Sequence, residues 1–140
     1  MHLSDKSAPV RLRATADALT TSLVASDAID VSTHSMVTVE TDYTAGTGGD
    51  GVEFVPEVLM AGQSTWSAAV SALDAGTPSG GAVTMGLAAV TYSAGAGKRT
   101  LHVPVYGASK FRVRIKETTS TSISVEGTCG VLAVASRLGV

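Results

Sequence analysis

Asparagine is absent from this 140-residue chain, and Cys129, Trp66 and Gln63 are each the single residue of their type. One cysteine excludes an intrachain disulfide framework and leaves no cysteine cluster for structural zinc. Aromatic residues make up 4% of the chain, so rings for stacking on bases or sugars are few. Charge is equally sparse: ten Lys and Arg stand against twelve Asp and Glu, for a formal net charge of −2. That balance argues against a polyanion-binding domain and predicts no direct contact with nucleic acid. No apolar run approaches the roughly 20 residues that cross a membrane, so no membrane partner is expected. Residues 1–9 lack the apolar stretch of a signal peptide and read as an N-terminal arm, ordered only where something holds it.

What the chain does contain is apolar and small. Hydrophobic residues reach 44%, too many for a disordered segment of this low charge. Twenty alanines, fifteen glycines, sixteen serines and seventeen threonines supply nearly half of the sequence. The length suits one domain that buries roughly two-thirds of its unfolded surface. Residues 10–140 are therefore expected to form a single domain after the arm.

Hydropathy alternates with a period of two along much of the chain, the pattern of half-buried strands. Val10 to Ala25 is ambiguous, but Thr20, Thr21 and Val24 favour strand over helix. In Met36–Tyr43, Val37, Val39 and Tyr43 share one face, with Thr38, Glu40 and Asp42 on the other. After the glycine-rich stretch Ala45–Gly51, Val52, Phe54, Val58 and Met60 point inward, and Glu53 and Glu57 outward. Together these segments predict a hairpin with a long tip. Pro56 cannot donate to a ladder, so the second strand is expected at an edge or bulged there. Thr65–Val70, Val83–Ala94 (around Gly86), Thr100–Tyr106, Lys110–Glu117, Ser122–Glu126 and Thr128–Val134 read as further strands. The segments 61–64, 74–81 and 95–98 read as turns or loops. About eight to ten short strands without a convincing amphipathic helix predict an all-β fold, an antiparallel, jelly-roll-like β-sandwich.

Residues able to carry chemistry are few. Gly46-x-Gly48-x-x-Gly51 matches the dinucleotide fingerprint in spelling, but it lies between two strands and opens no helix that could receive a pyrophosphate. Gly95–Arg99 likewise lacks the first glycine and the hydroxyl residue of a phosphate loop. His2, His34 and His102 have no partner at ligand spacing, and Asp42 and Asp50 lack the Asp-x-Asp spacing of a calcium loop. No Gly-x-Ser-x-Gly elbow is present, and Cys129 reads as a buried small residue. Glu53 and Glu57 are four residues apart on one strand face, roughly 13 Å. A glycosidase pair needs about 5 to 10 Å. The expectation is no enzyme, no catalytic residue, no metal site and no cofactor.

The main polar feature is a basic stripe. Lys110, Arg112, Arg114 and Lys116 occupy one face of one strand, outward of Phe111, Val113 and Ile115. Glu40, Asp42, Glu53 and Glu57 are possible cross-strand partners. The stripe is either such a paired, solvated face, an interface for an acidic neighbour, or a nucleic-acid contact. The candidate interface set is Lys110, Arg112, Arg114, Lys116, Glu53 and Glu57.

Four stretches carry a family likeness: Val37–Tyr43 running into a Gly/Asp turn, Val52–Val58 leading to Trp66, Leu101–Ala108, and Phe111–Glu117. In these the chain resembles small β-sandwich structural proteins of tailed bacteriophages, over about residues 25–134. The resemblance implies a non-enzymatic virion part, of the capsid decoration, head-to-tail or tail type. Its implied partners are copies of itself and other virion proteins of capsid, neck or tail. Its implied location is the virion, after synthesis in the bacterial host cytoplasm. The alternative reading is a carbohydrate- or ligand-binding β-sandwich, which needs exposed rings drawn from Trp66, Tyr43, Tyr92, Tyr106, Phe54 and Phe111.

Overall fold

The computed structural model describes residues 4–69, 73–74, 83–85, 90–92 and 96–138. Among these, every regular element is a strand: β1 (Ser4–Lys6), β2 (Val10–Arg13), β3 (Val24–Ala25), β4 (Ile29–Asp30), β5 (Met36–Thr44), β6 (Gly51–Met60) and β7 (Ser67–Ala68). They continue with β8 (Leu73–Asp74), β9 (Val83–Met85), β10 (Val90–Tyr92), β11 (Ala96–Pro104), β12 (Ala108–Thr118) and β13 (Thr128–Leu138). The first sheet has the order β1-β13-β5-β11-β8, with β2 also on β13. The second has the order β3-β12-β6-β10-β9, with β4 also on β12 and β7 on β6. The two antiparallel sheets pack as a β-sandwich.

Long strands alternate between the sheets: β5, β11 and β13 in the first, β6 and β12 in the second. Their inward residues form the core. Val37, Val39, Tyr43, Leu101, Val103 and Val131 face Val52, Phe54, Phe111, Val113 and Ile115, all fully buried. On β13 the inward residues Cys129, Ala133 and Ala135 are small, which lets the layers approach. The alternation expected for β5, β11 and β12 is thus present at each named apolar position.

The N-terminal region straps one side of the sandwich. β1 pairs with Ser136–Leu138 and β2 with Val131–Ala133, both on β13. The chain then crosses to β12. Leu19 N–H donates to Gly127 O at 2.7 Å, Glu117 N–H to Thr20 O at 2.8 Å, Ser26 N–H to Val113 O at 2.8 Å, and Val31 N–H to Ser109 O at 2.9 Å. Leu12, Leu19 and Val31 plug the gap between the sheets. Hence β2 and β3 are short strands at either end of an irregular segment, where the sequence predicted strand throughout Val10–Ala25. Small polar residues of 14–22 hydrogen-bond locally instead, as in the Thr20–Ser22 turn.

Other expectations are corrected. β5 and β6 are not a hairpin, because β5 pairs with β11 and β13 while β6 pairs with β12. The glycine-rich linker instead crosses the end of the sandwich. Pro56 is neither at an edge nor at a bulge. It stands opposite Val113, whose own N–H and C=O point away to Ser26, so the pair is a non-hydrogen-bonded one. On its other side Pro56 O accepts from Ala69 N–H at 2.8 Å, just past the end of β7, so the N–H that proline lacks removes one bond at the end of that short pairing. Met60 is 38% exposed, because it ends β6 where a register shift between Ala108 and Lys110 breaks the pleat.

Ser122–Glu126 is not a strand. It is a loop held by Thr47 N–H to Val125 O and Ser124 N–H to Thr47 O, each 2.9 Å. Ala96, Gly97 and Lys98, expected in a turn, pair with Thr44, Tyr43 and Asp42 as the start of β11, and Gly95 lies outside the described residues. Of the Thr65–Val70 expectation, Ser67–Ala68 is strand, and Val70 lies outside the described residues. The expectation for Val83–Ala94 meets two strands, β9 and β10, with Gly86 outside the described residues. Of the predicted loop 74–81, Asp74 ends β8 and the rest lies outside them too.

Candidate functional site

The outward face of β12 and β6 carries the six candidate interface residues, and their register brings most of them together. Arg112 stands opposite Glu57, and Lys116 opposite Glu53. Arg112 Nε donates to Glu57 Oε1 at 2.8 Å, while Arg114 Nη1 lies 3.8 Å from Glu57 Oε2. Lys116 Nζ lies 3.2 Å from Glu53 Oε2. Glu57 is buried although its side chain points outward, because the two arginines close over it.

Trp66 completes the centre of this face. It precedes β7, whose residues Ser67 and Ala68 pair with Val58 and Glu57. Its ring takes the Arg112 guanidinium at 4.2 Å from the centroid. Arg112 is therefore stacked on one neighbour and hydrogen-bonded to another, an arrangement that fixes a long side chain.

Lys110 sits apart, exposed at the end of the stripe opposite Asp30. The Asp30 carboxylate is taken by the Ser32 hydroxyl at 2.6 Å and the Ser32 amide at 2.8 Å. Those bonds hold its pKa below the usual carboxylate range, and the charge of Lys110 adds to the effect. Of the other proposed partners, Glu40 and Asp42 belong to the opposite sheet. Glu40 lies 3.9 Å from Lys98 there.

A second polar centre was not singled out in the sequence. Glu117, on β12, is 1% exposed. Its Oε2 accepts from Tyr43 Oη at 2.6 Å and Gly46 N–H at 2.8 Å, and its Oε1 from Gly127 N–H at 2.9 Å. A Cβ on Gly49 would lie 2.2 Å from Oε2, and one on Gly127 would lie 2.4 Å from it. Gly49 and Gly127 thus let backbone close around this carboxylate. The available signal was phase: Glu117 continues the inward series Phe111, Val113, Ile115.

The remaining candidates are separate. Cys129 is fully buried, and burial pushes its thiol up to about 12. His102 points outward beside Thr38, with Nδ1 and Oγ1 3.1 Å apart. His2 lies outside the described residues. Asp50 is held low by hydrogen bonds from Ser120, side chain first and then backbone. Among the described residues no three His, Cys, Asp or Glu side chains cluster as a metal site.

No family model matches the chain, and no curated protein does. Several solved structures do. The SPBc2 prophage-derived protein YomS aligns over 98% of this chain and 97% of its own, with a TM-score of 0.57 and 13% identity. The likeness is one of fold. A structure from a study of disulfide-linked pili, the endospore appendages of Bacillus, aligns over 98% of this chain and 88% of its own, at TM-score 0.42 and 12% identity. The K1 cleaved adhesin domain of Lys-gingipain from Porphyromonas gingivalis W83 covers 84% of this chain and 63% of its own, at TM-score 0.37 and 10% identity. Those two scores are too low to establish a common fold.

Proposed function

We propose that this chain is a non-enzymatic structural protein of a bacteriophage particle. The observation that carries the reading is the end-to-end likeness of fold to a prophage-derived protein, with both chains aligned over almost their whole length. The strand motifs that resemble phage structural proteins point the same way. In this reading residues 10–140 are one sandwich domain and 1–9 an arm. The protein is made in the host cytoplasm and resides in the virion. There it contacts copies of itself and other proteins of the capsid, neck or tail. Lys110, Arg112, Arg114, Lys116, Glu53 and Glu57 form a contact face, and neither membrane nor nucleic acid is a direct partner.

A sugar-binding role would need open aromatic faces. Tyr43, Phe54 and Phe111 are fully buried, Arg112 lies over one face of Trp66, and the Tyr92 side chain lies outside what the structure describes. Tyr106, 67% exposed on the β11–β12 turn, stands apart from them.

The test is protein composition of gradient-purified phage particles from the source. This polypeptide should be present in fixed proportion to the capsid protein. Its absence from intact particles that the same lysate yields would overturn the proposal.

A further inference from the structure

The cations of the β12 face are engaged to different degrees. Arg112 is stacked on Trp66 and bonded to Glu57, and Lys116 has Glu53 at 3.2 Å. Arg114 shares the same Glu57 at the longer distance of 3.8 Å, and its side chain is 38% exposed. Lys110 is exposed opposite Asp30, whose Oδ1 accepts both bonds from Ser32, and among the described residues it forms no salt bridge with that carboxylate. Three carboxylates, Glu53, Glu57 and Asp30, therefore meet four cations, and the positive charge least closely matched is displayed at Lys110 and Arg114.

We infer that this face docks a protein surface bearing carboxylates, with Lys110 and Arg114 as the recognition cations and Arg112–Trp66 as their rigid support. The inference deepens the contact face proposed above, and rests on that reading for its biological setting. Lys110 and Arg114 are four residues apart on one strand face, about 13 Å, and Arg114 and Lys116 about 7 Å. A partner strand or ribbon with acidic residues at alternate positions repeats its carboxylates at that same pleat spacing. Arg112 and Trp66 supply the half-buried aromatic and arginine typical of an interface centre.

Two other occupants fit less well. A nucleic-acid backbone would meet Glu53 and Glu57 within the stripe, and one face of the Trp66 ring already carries Arg112. A second copy of this chain would offer Glu40 and Asp42 on the outward face of its first sheet. Glu40 there has Lys98 at 3.9 Å, and Arg11 flanks Leu132 from the side opposite Glu40. Arg11 also reaches across Gly130, the register partner of Asp42. Glu40 thus has a cation on its own sheet.

The experiment uses the purified full chain and a fluorescent peptide of about twelve residues alternating threonine and glutamate, read by anisotropy at low salt. Single-stranded DNA of equal charge and the threonine–lysine peptide serve as comparisons. The glutamate peptide should bind, and the Lys110→Ala/Arg114→Ala double variant should bind it at least about tenfold more weakly. Lys98→Ala, on the other sheet, should bind as the unaltered chain does. An unchanged thermal melt of the double variant ties the loss to recognition. Should that variant fail to fold, the single variants Lys110→Glu and Arg114→Glu carry the same comparison. No binding of the glutamate peptide would overturn the inference. So would DNA binding as tightly, or light scattering that shows self-association lost in Arg114→Ala. Because no particle enters the assay, each of these results stands whether or not the polypeptide is found in virions.

Discussion

Tyr43 Oη donates to Glu117 Oε2 at 2.6 Å, a hydrogen bond that joins β5 of one sheet to β12 of the other inside the sandwich. With Gly46 N–H and Gly127 N–H it gives the carboxylate three donors. The clamp fastens the linker and the 119–127 loop to the same end of the core.

Glu117→Gln should accordingly destabilise the protein more than its size suggests. The amide brings an NH2 group into a cradle of donors, so at least one buried donor loses its acceptor. Hydrogen bonds to a charged group contribute about 1.5–3 kcal/mol each, and a loss of about 2–4 kcal/mol is expected. Tyr43→Phe, which removes one donor and leaves the other two, should cost about 1–2 kcal/mol. Urea denaturation measures both, and a Glu117→Gln midpoint equal to that of the unaltered chain would refute the clamp.

Glycine substitutions at this end should separate crowding from backbone strain. Gly127→Ala would place a Cβ 2.4 Å from Glu117 Oε2 and 2.5 Å from Thr44 O, so backbone must shift. Overpacking of that kind costs about 1–3 kcal/mol or more. Gly62 has φ +78° with nothing near its Cβ position, so Gly62→Ala pays left-handed strain alone, about 1–2 kcal/mol. Comparing the two denaturation midpoints, Gly127→Ala should be the lower.

Charge reversals on β12 should differ from one another. Arg112→Glu sets a carboxylate against the buried Glu57 and removes the cation over Trp66. It should cost about 3–5 kcal/mol, the range for breaking one side of a buried pair. Arg114→Glu alters a residue at 3.8 Å with an exposed head, and should leave the fold intact while reducing incorporation into particles. Co-sedimentation with particles, beside a thermal melt of each variant, distinguishes the two effects. Full incorporation of a folded Arg114→Glu chain would remove the stripe from assembly.

Cys129 gives a prediction in pH. Its thiol rises from 9.0 to about 12 in the folded chain because burial disfavours the thiolate. Above pH 9 the unfolded chain releases this proton and the folded chain keeps it. The contribution is fully present below pH 9 and is lost progressively between about pH 9 and 12. A Cys129→Ala variant should show a shallower decline of stability across that range. Disulfide reagents should label the native thiol only after unfolding, and rapid labelling at pH 8 would contradict its burial.

Sheet assignment was the least legible part of the fold. Alternation in Val37–Tyr43 and Lys110–Glu117 reports which residues face the core, and those assignments match the structure. It does not report which strand lies alongside, so β5 and β6 read as a hairpin although they belong to different sheets. The strap from Val10 to Val31 is held chiefly by backbone groups, which leave little trace in residue type. For Glu117 the two signals conflicted: its phase pointed inward, and its charge suggested solvent. The stripe was legible as a face, whereas how closely each cation is matched needed the register with Glu53, Glu57 and Asp30. Trp66 stood out by rarity, but its contact with Arg112 crosses β6 and has no sequence spacing.

The most direct test of the central claim is imaging of the purified source particle at side-chain resolution. The account predicts copies of this two-sheet sandwich in the particle, with Lys110 and Arg114 buried against carboxylates of a neighbouring protein. A complete particle map without this fold would contradict the structural role, and one with the fold present but β12 facing solvent in every copy would contradict the interface.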